Sequence, residues 1–457
     1  MRKIRRMLIS LLAAAISAAA LPVFANQPAA PVFVSPSFYG REALSALNNG
    51  ERLASAYDKI TAGMGNTENI YEDPSSGTPN YKISTDITDE KLSKAELETV
   101  LDAYRRDHPE HFWYNAEQGS MFWILGDRIT TVELYCYMSA ADTAGAKKKF
   151  DAAAEELLRG ITPDMPEFDR EKLLHDRLAK KITYDLNEAY MHSAYGALVN
   201  GGAVCDGYTE SLQYLLGRVG IQAFTVLGMG TDISGNTEPH AWNIVRIDGK
   251  YYNVDLTWDD QGSNILYAYF NLTDARMTED HAPEETKYAM PVCDSEEAGY
   301  FTVFGGKTEG FSAEELGGLI RNNGTRLHVY VTGDTAAFSN DLRNNFFKMT
   351  SAAGLGISAV SGKLYSLGRE FLIIVIVRGD ANGDGITDIR DYVSMKECAL
   401  TAKYDEAADI NADRSVNASD LTELRKRLFG SRIRRDFHVY CGGLQNRRTV
   451  FRQKFGL

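Results

Sequence analysis

Three residue types far apart in the chain could together perform nucleophilic chemistry: Cys205, His240 and Asp255. Cys205 follows Gly201-Gly202-Ala203-Val204 and opens a run in which Tyr208, Leu212, Leu215 and Leu216 recur at helical spacing. A loop that opens into a helix leaves free backbone N–H groups at the cysteine. Together with the helix dipole, these favour a thiolate. Small buried thiols are common, so Cys205 taken alone reads as a packing residue rather than a nucleophile.

The other two residues flank a turn signal. His240-Ala-Trp-Asn-Ile-Val-Arg-Ile247 runs into Asp248-Gly249, and Lys250-Tyr-Tyr-Asn-Val-Asp255-Leu-Thr-Trp258 follows. Asp-Gly between two strand-like runs predicts a hairpin with a two-residue turn. In that register Ile247 pairs with Lys250 and Trp242 with Asp255. His240 then lies diagonal to Asp255 on one face, at a backbone separation of about 7–8 Å that an imidazole and a carboxylate can bridge. Ala241, Val245, Ile247, Tyr252, Val254 and Leu256 take the other face, toward a core. A slip of one residue would put the histidine and the aspartate on opposite faces. Cys, His and Asp are a nucleophile, a general base and a group that orients the base.

Gly202-Ala-Val-Cys205-Asp-Gly-Tyr208, His240-Ala-Trp242-Asn243 and Asp255-Leu-Thr-Trp258 occur in an order that resembles the transglutaminase-like superfamily of cysteine enzymes, over roughly residues 168–260. The resemblance implies a papain-like α+β fold with the cysteine on a helix packed against an antiparallel sheet that carries His and Asp. It implies Cys205, His240 and Asp255 as catalytic residues, with no cofactor for the chemistry. The backbone N–H of Cys205 is the expected oxyanion donor, with Tyr195 and Asn200 as candidates for a second.

A second chemistry lies near the C-terminus, as an internal repeat. Asp380, Asn382, Asp384, Asp388 and Asp391 place oxygens at positions one, three, five, nine and twelve of a loop, with the Ile386 carbonyl at seven. Asp409, Asn411, Asp413, Asn417 and Asp420 repeat the pattern, with the Ser415 carbonyl at seven. Calcium takes oxygen ligands, and these spacings match the EF-hand loop with Asp in place of Glu at position twelve. Each loop runs into one amphipathic helix, 392–400 and 421–428, so these are half EF-hands. The tandem resembles a dockerin, an all-α module that plugs secreted enzymes into cohesins on a scaffold protein. The resemblance implies structural Ca2+ and a cohesin partner, with Ile389-Arg390 and Ala418-Ser419 facing it. Arg414 stands where glycine usually makes the turn, so the second loop is expected to be strained and weaker.

The elements that must position these residues follow from the rest of the 457 residues. Met1-Arg-Lys-Ile-Arg-Arg6 followed by an apolar stretch to Phe24 reads as a secretory signal peptide over 1–25. No later run is apolar enough to span a bilayer. The net charge of −13 makes nucleic acid a poor partner. Five cysteines leave at least one unpaired, which suits a free Cys205. Residues 26–160 read as an N-terminal accessory α+β region, with helices over 39–60 and 92–106 and a strand over 129–137. His108 and His111 suggest a metal, but no third ligand is evident, so an aromatic packing loop is expected. The catalytic domain is placed at 161–300, with a helix over 168–181. His175 and His281 are read as structural, and Gly228 to Pro239 as either a mobile flap or a plain loop. A small α/β module is expected over 301–377, with strands at 327–331 and 371–377 and helices at 312–321 and 338–349. A dockerin at 378–430 and a basic tail at 431–457 complete the chain.

These features predict a secreted, scaffold-docked cysteine enzyme acting on protein or peptide amides, with hydrolysis preferred over crosslinking. The alternatives are a non-catalytic dockerin-borne adaptor and an accessory protein of polysaccharide degradation. A third reading is a glycan hydrolase, for which no carboxylate pair can be singled out.

Overall fold

The computed structural model describes residues 33–74, 80–355 and 360–429. The signal-peptide and basic-tail expectations lie outside these residues. The chain divides into two compact units at Gly305/Gly306.

The first unit is α+β. Where a single helix was expected over 39–60 there are two, Tyr39–Ser45 and Gly50–Gly65. The second helix begins hard against the first: a Cβ on Gly50 would meet the Ser45 carbonyl at 2.3 Å. Glycine is what allows the corner. The helix expected over 92–106 runs Lys94–Asp107, fixed at its start by a capping box between Ser93 and Glu96. These helices flank an antiparallel sheet ordered Tyr71–Glu72, Tyr81–Asp86, Arg128–Cys136, Ser120–Leu125. The Ala140–Leu158 helix then leads to Glu167–Lys181 and Cys205–Arg218. A second antiparallel sheet is ordered His281–Pro283, Ala223–Thr231, Thr237–Ile247, Lys250–Val254.

One continuous core joins both sheets: Tyr57, Trp113, Phe150, Leu212, Val245 and Phe270 belong to the same buried cluster. The N-terminal region therefore shares its interior with the segment that carries Cys205. The Cys205–Arg218 helix buries Tyr208, Leu212, Leu215 and Leu216, as its spacing predicts. Asn243 Nδ2 donates to the Thr209 carbonyl at 3.2 Å, tying this helix to the His240 strand. That strand is buried on both faces from Ala241 to Val245, where the sequence pattern had suggested a single core face.

The second unit begins with a sheet ordered Lys307–Thr308, Arg326–Val331, Glu370–Val377, Val360–Leu367, with the helices Ala313–Asn323 and Thr335–Ala352. Its core holds Leu316, Ile320, Val329, Phe338, Leu342 and Ile373. The 360–367 strand escapes a sequence reading because Ser361, Gly362, Lys363 and Ser366 carry little strand signal. Its partner Glu370–Val377 imposes it by an eight-residue register. Two loop–helix units follow, with helices Ile389–Thr401 and Ala418–Phe429 closing over Met395, Ala408, Ile410 and Leu424. Among the described residues, no helix is long and apolar enough to cross a membrane.

Candidate catalytic site and calcium loops

Cys205 is the first residue of its helix, after an extended Val204. The Val204 N–H donates to the Met191 carbonyl at 3.0 Å, which fixes the approach. Gly207 admits that neighbouring segment, since a Cβ there would meet the Met191 carbonyl at 2.7 Å. The thiol is half-buried, and its Sγ lies 4.0 Å from Asp206 Oδ1.

The hairpin has the register its Asp-Gly turn predicts: Ile247 pairs with Lys250 and Asn243 with Val254. Asp248 and Gly249 both take positive φ, as a tight hairpin turn of this kind requires. His240 Nε2 lies 2.7 Å from Asp255 Oδ2. Burial works against the imidazolium, but the Asp255 charge and hydrogen bond, followed by a hydrogen bond to Cys205, raise His240 to about 10. Asp255 is fully buried. Burial pushes its carboxyl up, yet the His240 charge and the hydrogen bonds from His240 and His281 hold it well below the usual range. Its Oδ1 caps the Leu256–Asp259 turn, accepting from the Thr257 and Trp258 N–H groups at 2.9 and 3.2 Å. The structure thus brings together all three predicted residues.

The run from Gly228 to Pro239 is not a plain loop. Most of it belongs to two paired strands joined by a turn at 232–236. Gly230 is needed in its strand, because a Cβ would come within 3.0 Å of Trp258 and 3.2 Å of His240 Cγ. Of the two candidates for a second oxyanion donor, Asn200 has its amide engaged elsewhere and Tyr195 packs through its ring. Asn200 Nδ2 donates to Glu188 Oε1 at 2.6 Å, and the Tyr195 ring stacks on Phe112 at 5.1 Å.

His175 is a buried packed histidine, as expected, with Nε2 3.2 Å from Asp259 Oδ2. His281, expected to be structural, reaches the site itself: its Nε2 lies 3.2 Å from Asp255 Oδ2. Sequence reasoning missed this because the 281–283 strand pairs with 228–230 across some fifty residues of chain. The expectation of no third ligand near His108 and His111 is corrected, since Glu110 brings a carboxylate oxygen within 4.8 Å of their ring nitrogens. Hydrogen bonds already occupy the set. His108 bonds Glu110 and Thr61, and His111 Nδ1 lies 2.6 Å from the Tyr104 hydroxyl. The two imidazoles stack at 5.1 Å among Phe38, Tyr57 and Tyr104. This is the expected aromatic packing loop. Asp255, His240 and His281 are likewise joined by hydrogen bonds and read as a hydrogen-bonded cluster.

In the first calcium-type loop, Asp380 Oδ2 accepts from the Gly385 N–H at 3.0 Å, while Oδ1 is buried with no hydrogen-bond partner. An orphaned carboxylate oxygen at position one is what a bound cation would satisfy. Burial, then the charges of Asp391 and Asp384, raise the Asp380 carboxyl above its ordinary value. Asp391 is buried and accepts from the Asn382 and Asp388 N–H groups. The second loop repeats this framework: Asp409 accepts from Asp413 and Arg414, and Asp420 from Ile410, Asn411 and Asn417. Gly385 makes its turn at φ +82°, and Arg414 makes the equivalent turn at φ +66°, the left-handed region that costs an L side chain. The oxygen-only donor set fits a hard cation in both loops.

Comparison with known proteins finds two family matches. Residues 151–256 match the family model "Transglutaminase-like superfamily", and residues 378–429 match "Dockerin type I domain". Kyphoscoliosis peptidase of Homo sapiens is 26% identical over 172 residues, covering 33% of this chain and 25% of that protein. The Mus musculus protein of the same name is 30% identical over 103 residues, covering 19% and 15%. The chain therefore spans a quarter or less of the length of the curated relatives it matches. A solved structure described as a TGase overlaps 32% of this chain and 47% of its own, at 17% identity and a TM-score of 0.23, too slight a likeness to bear on function. Dockerin type I domains bind calcium in general. The chain carries a transglutaminase-like domain and, C-terminal to it, a dockerin type I domain.

Proposed function

We propose that this chain is a secreted, scaffold-docked cysteine enzyme that hydrolyses protein or peptide amides through Cys205, His240 and Asp255. The observation that carries the reading is the 2.7 Å contact of His240 with a fully buried Asp255, with Cys205, at a helix start, among the groups that raise the same imidazole. Asp255 fixes the imidazole orientation. Cys205 Sγ, its proton already held on the His240 imidazolium, forms a bond to the amide carbonyl carbon as the carbonyl electrons move onto the oxygen. The Cys205 backbone N–H, at the helix N-terminus, faces the developing oxyanion. The C–N bond then breaks, His240 protonates the leaving amine, and a thioester remains. His240 next takes a proton from water, whose oxygen attacks the thioester. The acid leaves and the thiol is restored. An amine in place of water would give crosslinking by the same steps.

The dockerin is the docking device. Asp380, Asn382, Asp384, the Ile386 carbonyl, Asp388 and Asp391 would hold one calcium ion. Asp409, Asn411, Asp413, the Ser415 carbonyl, Asn417 and Asp420 would hold the second. Bound calcium neutralises these carboxylates, so binding and folding of the two helices are coupled. The partner is a cohesin on an extracellular scaffold.

A peptide-library digest read by mass spectrometry, with and without an added primary amine, tests the reading. Wild type should release new termini, and Cys205→Ala should release none. Amine-tagged products in place of new termini would assign crosslinking. Turnover that survives in Cys205→Ala would remove Cys205 as the nucleophile.

A further inference from the structure

Asp255 Oδ2 serves two imidazoles, and the mechanism uses one of them. His281 is buried, and both its ring nitrogens face carboxylates. Nε2 is 3.2 Å from Asp255 Oδ2, and Nδ1 is 2.6 Å from Asp280 Oδ1. Asp280 in turn accepts from the Tyr269 hydroxyl at 2.6 Å. Trp258, Trp242 and Tyr269 pack around the ring at centroid distances of 4.4, 5.0 and 5.4 Å. An aromatic cage of this kind would take an apolar side chain at less desolvation cost, so an ionisable ring there points to a polar task.

The sheet is built to bring the two histidines together. His281 and His240 sit on strands that flank the 223–231 strand, His281 opposite Gly230 and His240 opposite Gly228. Side chains at those positions would not fit: a Cβ on Gly228 would meet the Ala282 carbonyl at 2.3 Å, and one on Gly230 would meet His240. With glycine at both, the imidazole centroids approach to 5.3 Å across an intervening strand.

We propose that His281 is a positioning residue of the candidate catalytic site, pinning Asp255 so that His240 is held for proton transfer and moderating the basicity that Asp255 confers on His240. The proposal rests on the Cys205–His240–Asp255 reading. Two effects are separable. The His281 N–H fixes the second lone pair of Asp255 Oδ2 and so its side-chain angle. The positive charge, supported by Asp280, opposes protonation of His240. The groups facing His281 are Asp255 from the hairpin, Asp280 beside it with Tyr269 behind, and His240 with Cys205 beyond. Burial disfavours the His281 cation, but hydrogen bonds to Asp255 and Asp280, then their charges, raise it to about 9, so it is charged at neutral pH.

The test uses the full chain, with iodoacetamide labelling of Cys205 at limiting reagent and NMR titration of 13C-labelled histidine side chains. His281→Leu should slow labelling at least about tenfold, the low end for loss of a hydrogen bond to a charged group. It should also raise the His240 midpoint by about two pH units, as expected when a unit charge about 5 Å away is removed at an effective dielectric constant of about 20. His281→Gln keeps an N–H donor without charge. It should recover the labelling rate to within about threefold of wild type while keeping the raised midpoint, a split that a merely structural role would not produce. Wild-type labelling in His281→Leu, or an unmoved His240 midpoint in both variants, would overturn the proposal. If wild type itself leaves Cys205 unlabelled, the catalytic reading fails separately, and the His240 midpoint alone decides the role of His281. If His281→Leu does not fold, the midpoint in His281→Gln decides.

Discussion

Replacing Asp255 with Asn removes one charge while keeping size and a capping oxygen. Asn and Asp are about equal as helix caps, so the bonds to Thr257 and Trp258 should survive. The loss falls on Oδ2, where an amide would meet two imidazole nitrogens. His240, with a side chain 9% exposed, is held at about 10 against 6.5 for an ordinary imidazole. A charge-assisted hydrogen bond contributes about 1.5–3 kcal/mol, equivalent to roughly one to two pH units. The His240 midpoint should therefore fall by about two units or more in Asp255→Asn, since the Asp255 charge goes with the bond. With the orienting group gone, Cys205-dependent turnover should drop by about 10²–10⁴-fold, and His240→Ala should cost still more. Stability gives an independent readout. Because the Asp255 carboxyl is held low in the folded state, its contribution is present above about pH 4 and lost as the pH falls further. That acid-side loss should be smaller in the variant. Histidine titration by NMR, peptide turnover and melts at pH 3–7 measure the three effects. An Asp255→Asn protein with wild-type turnover and an unmoved His240 would refute the reasoning.

Arg414→Gly should tighten the second calcium loop by about two- to fivefold, because the left-handed turn at φ +66° costs an L residue about 1 kcal/mol, offset in part by the freedom of glycine when unfolded. Calorimetry of the full chain, with the first loop as internal reference, checks this, and an unchanged or weaker second site would contradict it. Glu171 is fully buried, and burial, opposed by the Asn271 hydrogen bond and the His175 charge, raises it to about 8. Its stabilising effect is complete below its unfolded value near 4.5 and is lost as the pH climbs through about 8, so wild type should lose melting temperature between pH 6 and 9 more steeply than Glu171→Gln.

The sequence alone determined those parts of this protein whose signals are local. Asp248-Gly249 prescribes its own turn, and the turn fixes the register that places His240 and Asp255 on one face. The apolar spacing after Cys205 prescribes a helix and puts the cysteine at its start. The calcium-type loops are equally local: alternating oxygens, a turn glycine and a following amphipathic helix all lie within a dozen or so residues, and even the strain at Arg414 follows from one residue type. The tertiary structure decided what depends on pairing across long stretches of chain. His281 reads as an ordinary histidine until the 281–283 strand joins the sheet and two glycines on the intervening strand let the imidazoles meet. Gly228 and Gly230 look like loop residues because their reason for being small, the Trp242 and Trp258 rings and the Ala282 backbone, is contributed by distant segments. The 360–367 strand has little signal of its own and is imposed by its neighbour. Local propensity and spacing act through residues a few positions apart, whereas the second partner of a buried carboxylate is chosen by which strands become neighbours, and that choice is made by the packing of the whole unit.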